Sequence, residues 1–213
     1  MLALDLRQLE GSAAGSRRLA AAIALGGLTY GAVMGAYGGV LSQGALQMLF
    51  SAVKVPMLLL VTFAITLPSF FVLNTLLGLR SDFGQVLRAL LITQAVLAVV
   101  LASFAPYTAL WYASSGDYDA AQLFNLAMFA AASLVAQAVL RRLYRPLIAR
   151  SPKHRLLLGA WLGVYAFVAV QMAWVLRPFI GAPGVPTRFF REDAWSNAYI
   201  VVARLLWRTI SGQ

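Results

Sequence analysis

Few residues of this chain could carry chemistry, and their positions are unsuited to catalysis. The chain has no cysteine and a single histidine, His154, which lies among basic residues rather than in an apolar segment. Thiol catalysis, disulfides and thiolate metal sites are therefore excluded, and a serine nucleophile would have no histidine beside it within a helix. A haem site would normally use histidines inside a helix bundle. The sequence thus predicts a protein that is not an enzyme and has no cofactor or metal.

The apolar segments contain polar side chains but no aspartate or glutamate. Proton relays and cation pathways usually depend on buried carboxylates, so this absence disfavours a proton- or sodium-coupled transporter. Amide and hydroxyl side chains inside a membrane most often bridge helices, for about 0.6 kcal/mol each. A path for a neutral solute lined by them is the alternative. The polar residues in question are Thr62, Asn74, Gln94, Gln122, Asn125, Gln137 and Gln171.

Five uncharged apolar segments explain why the chain is 61% apolar and only 11% charged. Each has the roughly 20 residues that a helix needs to cross the hydrocarbon core of a membrane. We predict an all-α integral membrane protein with an N-terminal segment at 1–18, a five-helix bundle at 19–177, and a loop with an interfacial helix at 178–213. The first apolar run is longer than the core of a signal peptide, which indicates an uncleaved anchor. The five segments are 19–41, 55–79, 89–112, 120–140 and 156–176.

The basic residues alternate between the links that join these segments. Lysine and arginine are retained on the cytoplasmic side, so the alternation predicts a cytoplasmic N-terminus, an outer C-terminus and a location in a bacterial inner membrane. The densest link, 141–155, is expected to be a cytoplasmic loop, which charge retention on the inside explains without any ligand. Binding of a partner or of anionic lipid headgroups, at about 1 kcal/mol per basic residue, is the alternative. Because topology accounts for the charge, the net +10 does not indicate nucleic acid. The basic residues of this link are Arg141, Arg142, Arg145, Arg150, Lys153 and Arg155.

Four glycines in the first segment recur at a step of four residues: Gly27, Gly31, Gly35 and Gly39. Residues four apart lie on one helix face, so the glycines form a groove without side chains. In lipid such a groove lets another helix approach closely. The partner is either a helix of this chain or a second protein.

The second segment begins beside a lysine and contains two prolines. Lys54 is expected to extend to the membrane interface, with an ion pair or an anionic lipid headgroup as the alternative. Pro56 can start the embedded part of the helix, whereas Pro68 falls in its interior and predicts a kink. A bent helix either opens a cavity or is only structural.

The segment after the fifth apolar run carries prolines and glycines that rule out a continuous helix at first. From residue 195 onward apolar residues return at helical spacing, which predicts an amphipathic helix lying in the interface. The aromatic and basic residues between them are of the kinds favoured at protein interfaces. We predict that this segment is held against the bundle and contacts a partner or lipid through Arg177, Phe179, Arg188, Phe189, Phe190, Arg191 and Trp195.

Two stretches carry a resemblance to known proteins. The motif QMAWVLRPFIGAPGVPTRFFREDAWSNAY, with KVPMLLLVTFAITLPSFFVLNTLLG earlier in the chain, resembles a group of uncharacterised bacterial multi-helix membrane proteins. In that group an A-W-x-L-R-P-F-x-G-x-P signature follows the last span. A looser similarity, in helix count and in the proline-bearing second span, is to the Yip family of Rab-interacting membrane proteins. Neither resemblance implies an activity.

The sequence therefore favours a non-enzymatic membrane subunit or scaffold within a larger assembly. Its partners would be membrane lipids, including anionic ones, and at least one other protein, which would dock through the glycine face and the C-terminal segment. The alternative is a channel or carrier for a small neutral or anionic solute, using the bend at Pro68 and the buried amides.

Overall fold

Five long helices follow one another along the chain. The computed structural model describes residues 13–39, 43–181, 184–191 and 199–200. Helix α1 spans Ala13–Gly35, α2 spans Gln43–Leu76, α3 spans Phe83–Ser114, α4 spans Tyr118–Arg150 and α5 spans Lys153–Leu176. Short 3-10 turns follow α1 at Ala36–Gly38 and precede α3 at Arg80–Asp82. Within the described residues there is no β-strand.

All five helices are long enough and apolar enough to cross a membrane. This confirms the prediction of an all-helical chain with five candidate spans. The hydrocarbon core accommodates only about 20 residues of helix, whereas α2 has 34 residues and α4 has 33. Both helices therefore extend beyond a span of that length, which places ordered helical surface at the ends of the bundle.

Helix α1 lies between α2 and α3, while α4 packs on α3 and α5 packs on α2. One apolar cluster, around Tyr30, Val55 and Ala98, joins α1, α2, α3 and α4. A second cluster joins α2, α3, α4 and α5 around Leu90, Tyr144 and Trp161. We call the end of the bundle where α4 meets α5 the basic end, and the opposite end, where α5 finishes, the cap end.

The predicted basic loop at 141–155 is wrong. Helix α4 continues to Arg150 and α5 begins at Lys153, so only two residues separate them. The physical reason is that Leu140, Tyr144 and Leu147 recur at helical spacing and are buried, while arginine itself is a good helix former. The apolar run ends at residue 140, but the helix does not.

Helix α2 begins twelve positions before the apolar run at 55–79 that predicted it, so Lys54 and Pro56 lie within the helix rather than at its start. Helix α1 likewise begins at Ala13, inside the predicted N-terminal segment at 1–18. Polar and small residues extend α2 before its apolar run because the bundle buries them: Gln47 and Ser51 are both buried.

The predicted interfacial helix falls mostly outside the described residues, as does Trp195. Only Tyr199 and Ile200 of that region are described, and both are helical. Tyr199 packs its ring on Phe167 of α5, with the ring centroids 4.6 Å apart, and donates a hydrogen bond to the carbonyl of the same residue.

Candidate functional site: the cap end

The cap end is formed by the first turns of α2 and the segment that follows α5. We call residues 177–181 and 184–191 the cap segment. Helix α5 ends at Leu176, and the peptide bond between Arg177 and Pro178 is cis. From there the chain runs without regular structure along α2. Its main-chain carbonyls therefore have no helical partners and must be satisfied by other donors.

Three side chains of α2 supply those donors. Gln47, Ser51 and Lys54 follow one another at steps of four and three, so they lie on one face of the helix. The Lys54 ammonium donates to the carbonyl of Pro178 at 2.7 Å. The Gln47 amide donates to the carbonyls of Pro178 and Phe179 at 3.2 and 3.1 Å, and the Ser51 hydroxyl also donates to that of Phe179.

Apolar contacts hold the cap segment in the same place. Ile180 is 4% exposed and belongs to the apolar cluster that contains Tyr30. The ring of Phe189 lies against that of Phe50 on α2, with centroids 5.2 Å apart. These contacts bury side chains that would otherwise meet water or headgroups, and they agree with the prediction of a segment held against the bundle.

Lys54 is enclosed by these two sets of contacts. Its side chain is fully buried, which contradicts the expectation that it extends to the interface. Among the described residues no carboxylate forms an ion pair with it. The ammonium instead contacts the Pro178 carbonyl and lies 4.9 Å from the centroid of the Phe189 ring, a cation–π arrangement. The cap segment supplies both contacts.

The glycines of α1 pack against the same turns of α2. A side chain added at Gly35 would come within 2.6 Å of the Gln47 carbonyl oxygen. A side chain added at Gly31 would come at least as close to the Ser51 carbonyl oxygen. At Gly27 the nearest atoms belong to Pro56, at 3.0 Å. The glycine groove is therefore filled by α2 of the same chain, which removes it as a docking face for a second protein.

Gly39 does not belong to this groove. Helix α1 ends at Gly35, and Gly39 has a φ of +96° with nothing within 4 Å of a Cβ built on it. A positive φ of this size is readily adopted only by glycine, so the fourth glycine serves the turn. Gly26, which the periodicity did not single out, packs instead on α3, where an added Cβ would come within 2.6 Å of the Ala98 carbonyl oxygen.

The outer part of the cap segment presents apolar and basic residues. Val185 is 61% exposed and Phe190 is 40% exposed, and Arg188 and Arg191 are exposed near them. Arg177 differs, because its guanidinium lies 3.3 Å from the centroid of the Trp174 ring. The structure thus separates the predicted contact residues into those that hold the segment, such as Phe179 and Phe189, and those that it leaves accessible.

The basic end contains a group that the sequence did not reveal. His154, placed by the sequence in a loop, lies in the first turn of α5, is fully buried, and its Nε2 is 3.0 Å from the carboxylate of Asp82. Arg150 lies 3.9 Å from the same carboxylate and donates to Gln85. Lys153 donates to the Leu77 carbonyl at 3.1 Å. These contacts link α5 to the turn that follows α2.

Two of the amides in the helices, Asn125 and Gln94, bridge helices. Asn125 of α4 accepts a hydrogen bond from the Tyr30 hydroxyl at 2.9 Å and donates to that of Tyr112 at 2.7 Å, joining α1, α3 and α4. Tyr165 of α5 donates to Gln94 of α3 at 3.0 Å. Within the described residues no group of three His, Cys, Asp or Glu side chains is placed to hold a metal ion.

No protein-family model, curated protein or solved structure matches the chain. Only the residues and their contacts therefore bear on function.

Proposed function

We propose that this chain is a non-enzymatic subunit or scaffold of a larger membrane assembly, and that its partner docks on the cap end. The bundle would lie in a bacterial inner membrane with the N-terminus and the basic end in the cytoplasm and the cap end outside. The distribution of arginine and lysine supports this orientation, since the described turn between α3 and α4 carries Asp117 but no basic residue.

The observation that carries the proposal is the ordering of the cap segment. Fixing each residue of an irregular segment costs about 1 to 2 kcal/mol of backbone entropy. Here Gln47, Ser51 and Lys54 hold the segment from one side, while Val185 and Phe190 remain exposed on the other. An ordered aromatic side chain beside arginine is the combination that dominates binding energy at protein interfaces.

Deleting residues 187–213 tests the proposal. The five spans should insert as before, because the last of them ends at Leu176, and the copurifying partner should be lost. The double variant Val185→Ser with Phe190→Ser should release the partner without removing the segment. Leu110→Ser is the matched control, since Leu110 is 66% exposed on α3. Retention of every copurifying chain by both variants would overturn the proposal and leave the segment as a lipid anchor.

The orientation has its own test, made easy by the absence of cysteine. A single cysteine at Ser115, in the turn between α3 and α4, should react with an impermeant reagent from outside the cell. One at Ser151, between α4 and α5, should react only after the inner face is opened. The reverse pattern would invert the orientation and place the cap end in the cytoplasm.

The alternative, a carrier for a small neutral or anionic solute, has one observation in its favour. The Thr62 hydroxyl and the Gln137 carbonyl oxygen are buried and make no hydrogen bond within the described residues. The predicted bend gives this alternative no support, because α2 is helical from Gln43 to Leu76 and Pro68 is exposed rather than facing the interior. Swelling of reconstituted vesicles in small polyols, abolished by Thr62→Val, would establish the carrier in place of the scaffold.

A further inference from the structure

The structure divides five of the six basic residues at 141–155 into two groups, and the sixth, Arg155, is exposed on α5. Arg150 and Lys153 contact Asp82 and the Leu77 carbonyl and so help to hold the basic end together. In contrast, three arginines of α4 are exposed and make no side-chain hydrogen bond or ion pair with any described residue. We call Arg141, Arg142 and Arg145 the arginine face.

The arginine face is part of an ordered helix, which fixes the relative positions of its members. At 3.6 residues per turn, positions 141, 142 and 145 fall within an arc of about 100° and rise by about 6 Å along the axis. Leu140, Tyr144 and Leu147 are buried on the opposite side of α4. The three guanidinium groups therefore project away from the bundle, on the side that surrounding lipid would occupy.

An exposed apolar surface continues from the arginine face along the same side of α4. Leu134 is 72% exposed and Val135 is 45% exposed, and Ala138 lies between them and Arg141. All three fall within about 120° of arc with the arginines. An acyl chain lying along α4 would meet Leu134 and Val135 where its headgroup meets the arginines.

The arginine face also lies at the depth in the membrane where lipid phosphates are found. The uncharged run of α4, 120–140, spans about 31 Å at 1.5 Å per residue, close to the thickness of the hydrocarbon core. Arg141 then lies at the boundary of that core, and Arg145 lies about 6 Å beyond it, in the layer of the phosphates. Guanidinium binds phosphate through two parallel hydrogen bonds, which a solvated lysine does not reproduce.

We propose that the arginine face binds an anionic phospholipid. Its phosphate is held by Arg141, Arg142 and Arg145, and one acyl chain lies on Leu134 and Val135. This assignment is independent of the proposed partner at the cap end, because it involves the opposite end of the bundle.

The test is a lipid titration of the purified full-length chain followed by native mass spectrometry, with phosphatidylglycerol compared with phosphatidylcholine. Wild type should bind phosphatidylglycerol preferentially. The variant Arg141→Gln, Arg142→Gln, Arg145→Gln should lose at least about tenfold in affinity for it, and each single variant about threefold to fivefold. If the triple variant does not fold, the single variants still measure the loss of phosphatidylglycerol affinity.

The matched control removes the same charge elsewhere. Arg17, Arg18 and Arg80 are also exposed and are expected at the same membrane face, so their triple change to Gln should leave phosphatidylglycerol binding within about twofold of wild type. Equal losses in both triple variants would reduce the effect to general attraction by net charge and overturn the site. Unchanged binding in the arginine-face variant, displacement of the lipid by millimolar inorganic phosphate alone, or loss of a bound protein instead of lipid would overturn it as well.

Discussion

Each end of the bundle holds a lysine against a main-chain carbonyl, and the two lysines differ in their surroundings. At the cap end, Lys54 donates to Pro178 at 2.7 Å and is fully buried. At the basic end, Lys153 donates to Leu77 at 3.1 Å and is exposed. The basic end also has Asp82, whose carboxylate lies 3.0 Å from His154 Nε2 and forms an ion pair with Arg150, whereas no described carboxylate pairs with Lys54.

This difference shows how much the effect of one hydrogen bond depends on its environment. An exposed ion pair or charged hydrogen bond contributes little, since water competes for both groups. A buried charge has lost its hydration, so removing its few partners is costly. We therefore expect the cap end to be the sensitive end of the molecule and the basic end to be tolerant.

The largest effect is expected at Gly31, where α1 and α2 approach most closely. A leucine at this position would overlap the Ser51 main chain and force the two helices apart, at a cost of about 3 kcal/mol or more. Gly31→Leu should lower the thermal stability of the purified protein and broaden its elution from a sizing column.

Gly159→Leu is the matched control, because a Cβ at this glycine of α5 would meet nothing within 4 Å. The control should be as stable as wild type. Similar stabilities for the two variants would show that the glycine groove is not tightly closed, and the cap end would lose its distinction from the basic end.

A smaller effect is expected at the two lysines themselves. Lys54→Met removes the ammonium from the Pro178 carbonyl and from the Phe189 ring, so the cap segment should be held more weakly by about 1 to 2 kcal/mol. A cysteine introduced at Ile180, which is 4% exposed, reports this opening; it should be labelled about tenfold faster in the Lys54→Met background.

Lys153→Met should leave the same labelling rate unchanged, since Lys153 contacts only the opposite end. Equal labelling rates in the two backgrounds would mean that Gln47, Ser51 and the apolar contacts suffice to hold the segment. In that case burial of the ammonium would contribute nothing to the difference between the ends.

The smallest effects are expected among the charges of the basic end. Asp82→Ala removes the partner of the buried His154 and should lower stability by about 1 kcal/mol. Arg150→Gln should cost less than about 0.5 kcal/mol, because the Arg150 side chain is 58% exposed. Thermal unfolding of both variants in one detergent measures the two changes. A larger loss for Arg150→Gln would contradict the view that water weakens this end.

The number of helices and the approximate positions of their apolar parts could be predicted from the sequence, because about 20 uncharged residues in a row have few other stable arrangements in lipid. The contact of α1 with a helix through Gly27, Gly31 and Gly35 could also be predicted from spacing. The identity of the helix that fills the groove could not be predicted, because the glycine spacing describes only the surface of α1.

The ends of the helices and the polar contacts of Lys54 and His154 could not be predicted from the sequence. Hydropathy marks where charge begins, and the helix of α4 continues past that point because Tyr144 and Leu147 are buried by α5 and its neighbours. Lys54 and Pro178 are separated by 124 positions, and His154 and Asp82 by 72. Such pairs depend on how the helices assemble, and local periodicity carries no information about them.

The pairing of Lys54 with Pro178 also imposes an order on how the protein is made. During synthesis α2 enters the membrane while the residue that will accept its ammonium has not been translated. At about 5 to 20 residues per second, the intervening 124 positions take roughly 6 to 25 s to synthesise. Throughout that interval the Lys54 ammonium must be solvated by water or lipid headgroups, or contacted by the insertion machinery. A nascent chain halted before the cap segment therefore carries a lysine whose acceptor carbonyl is missing.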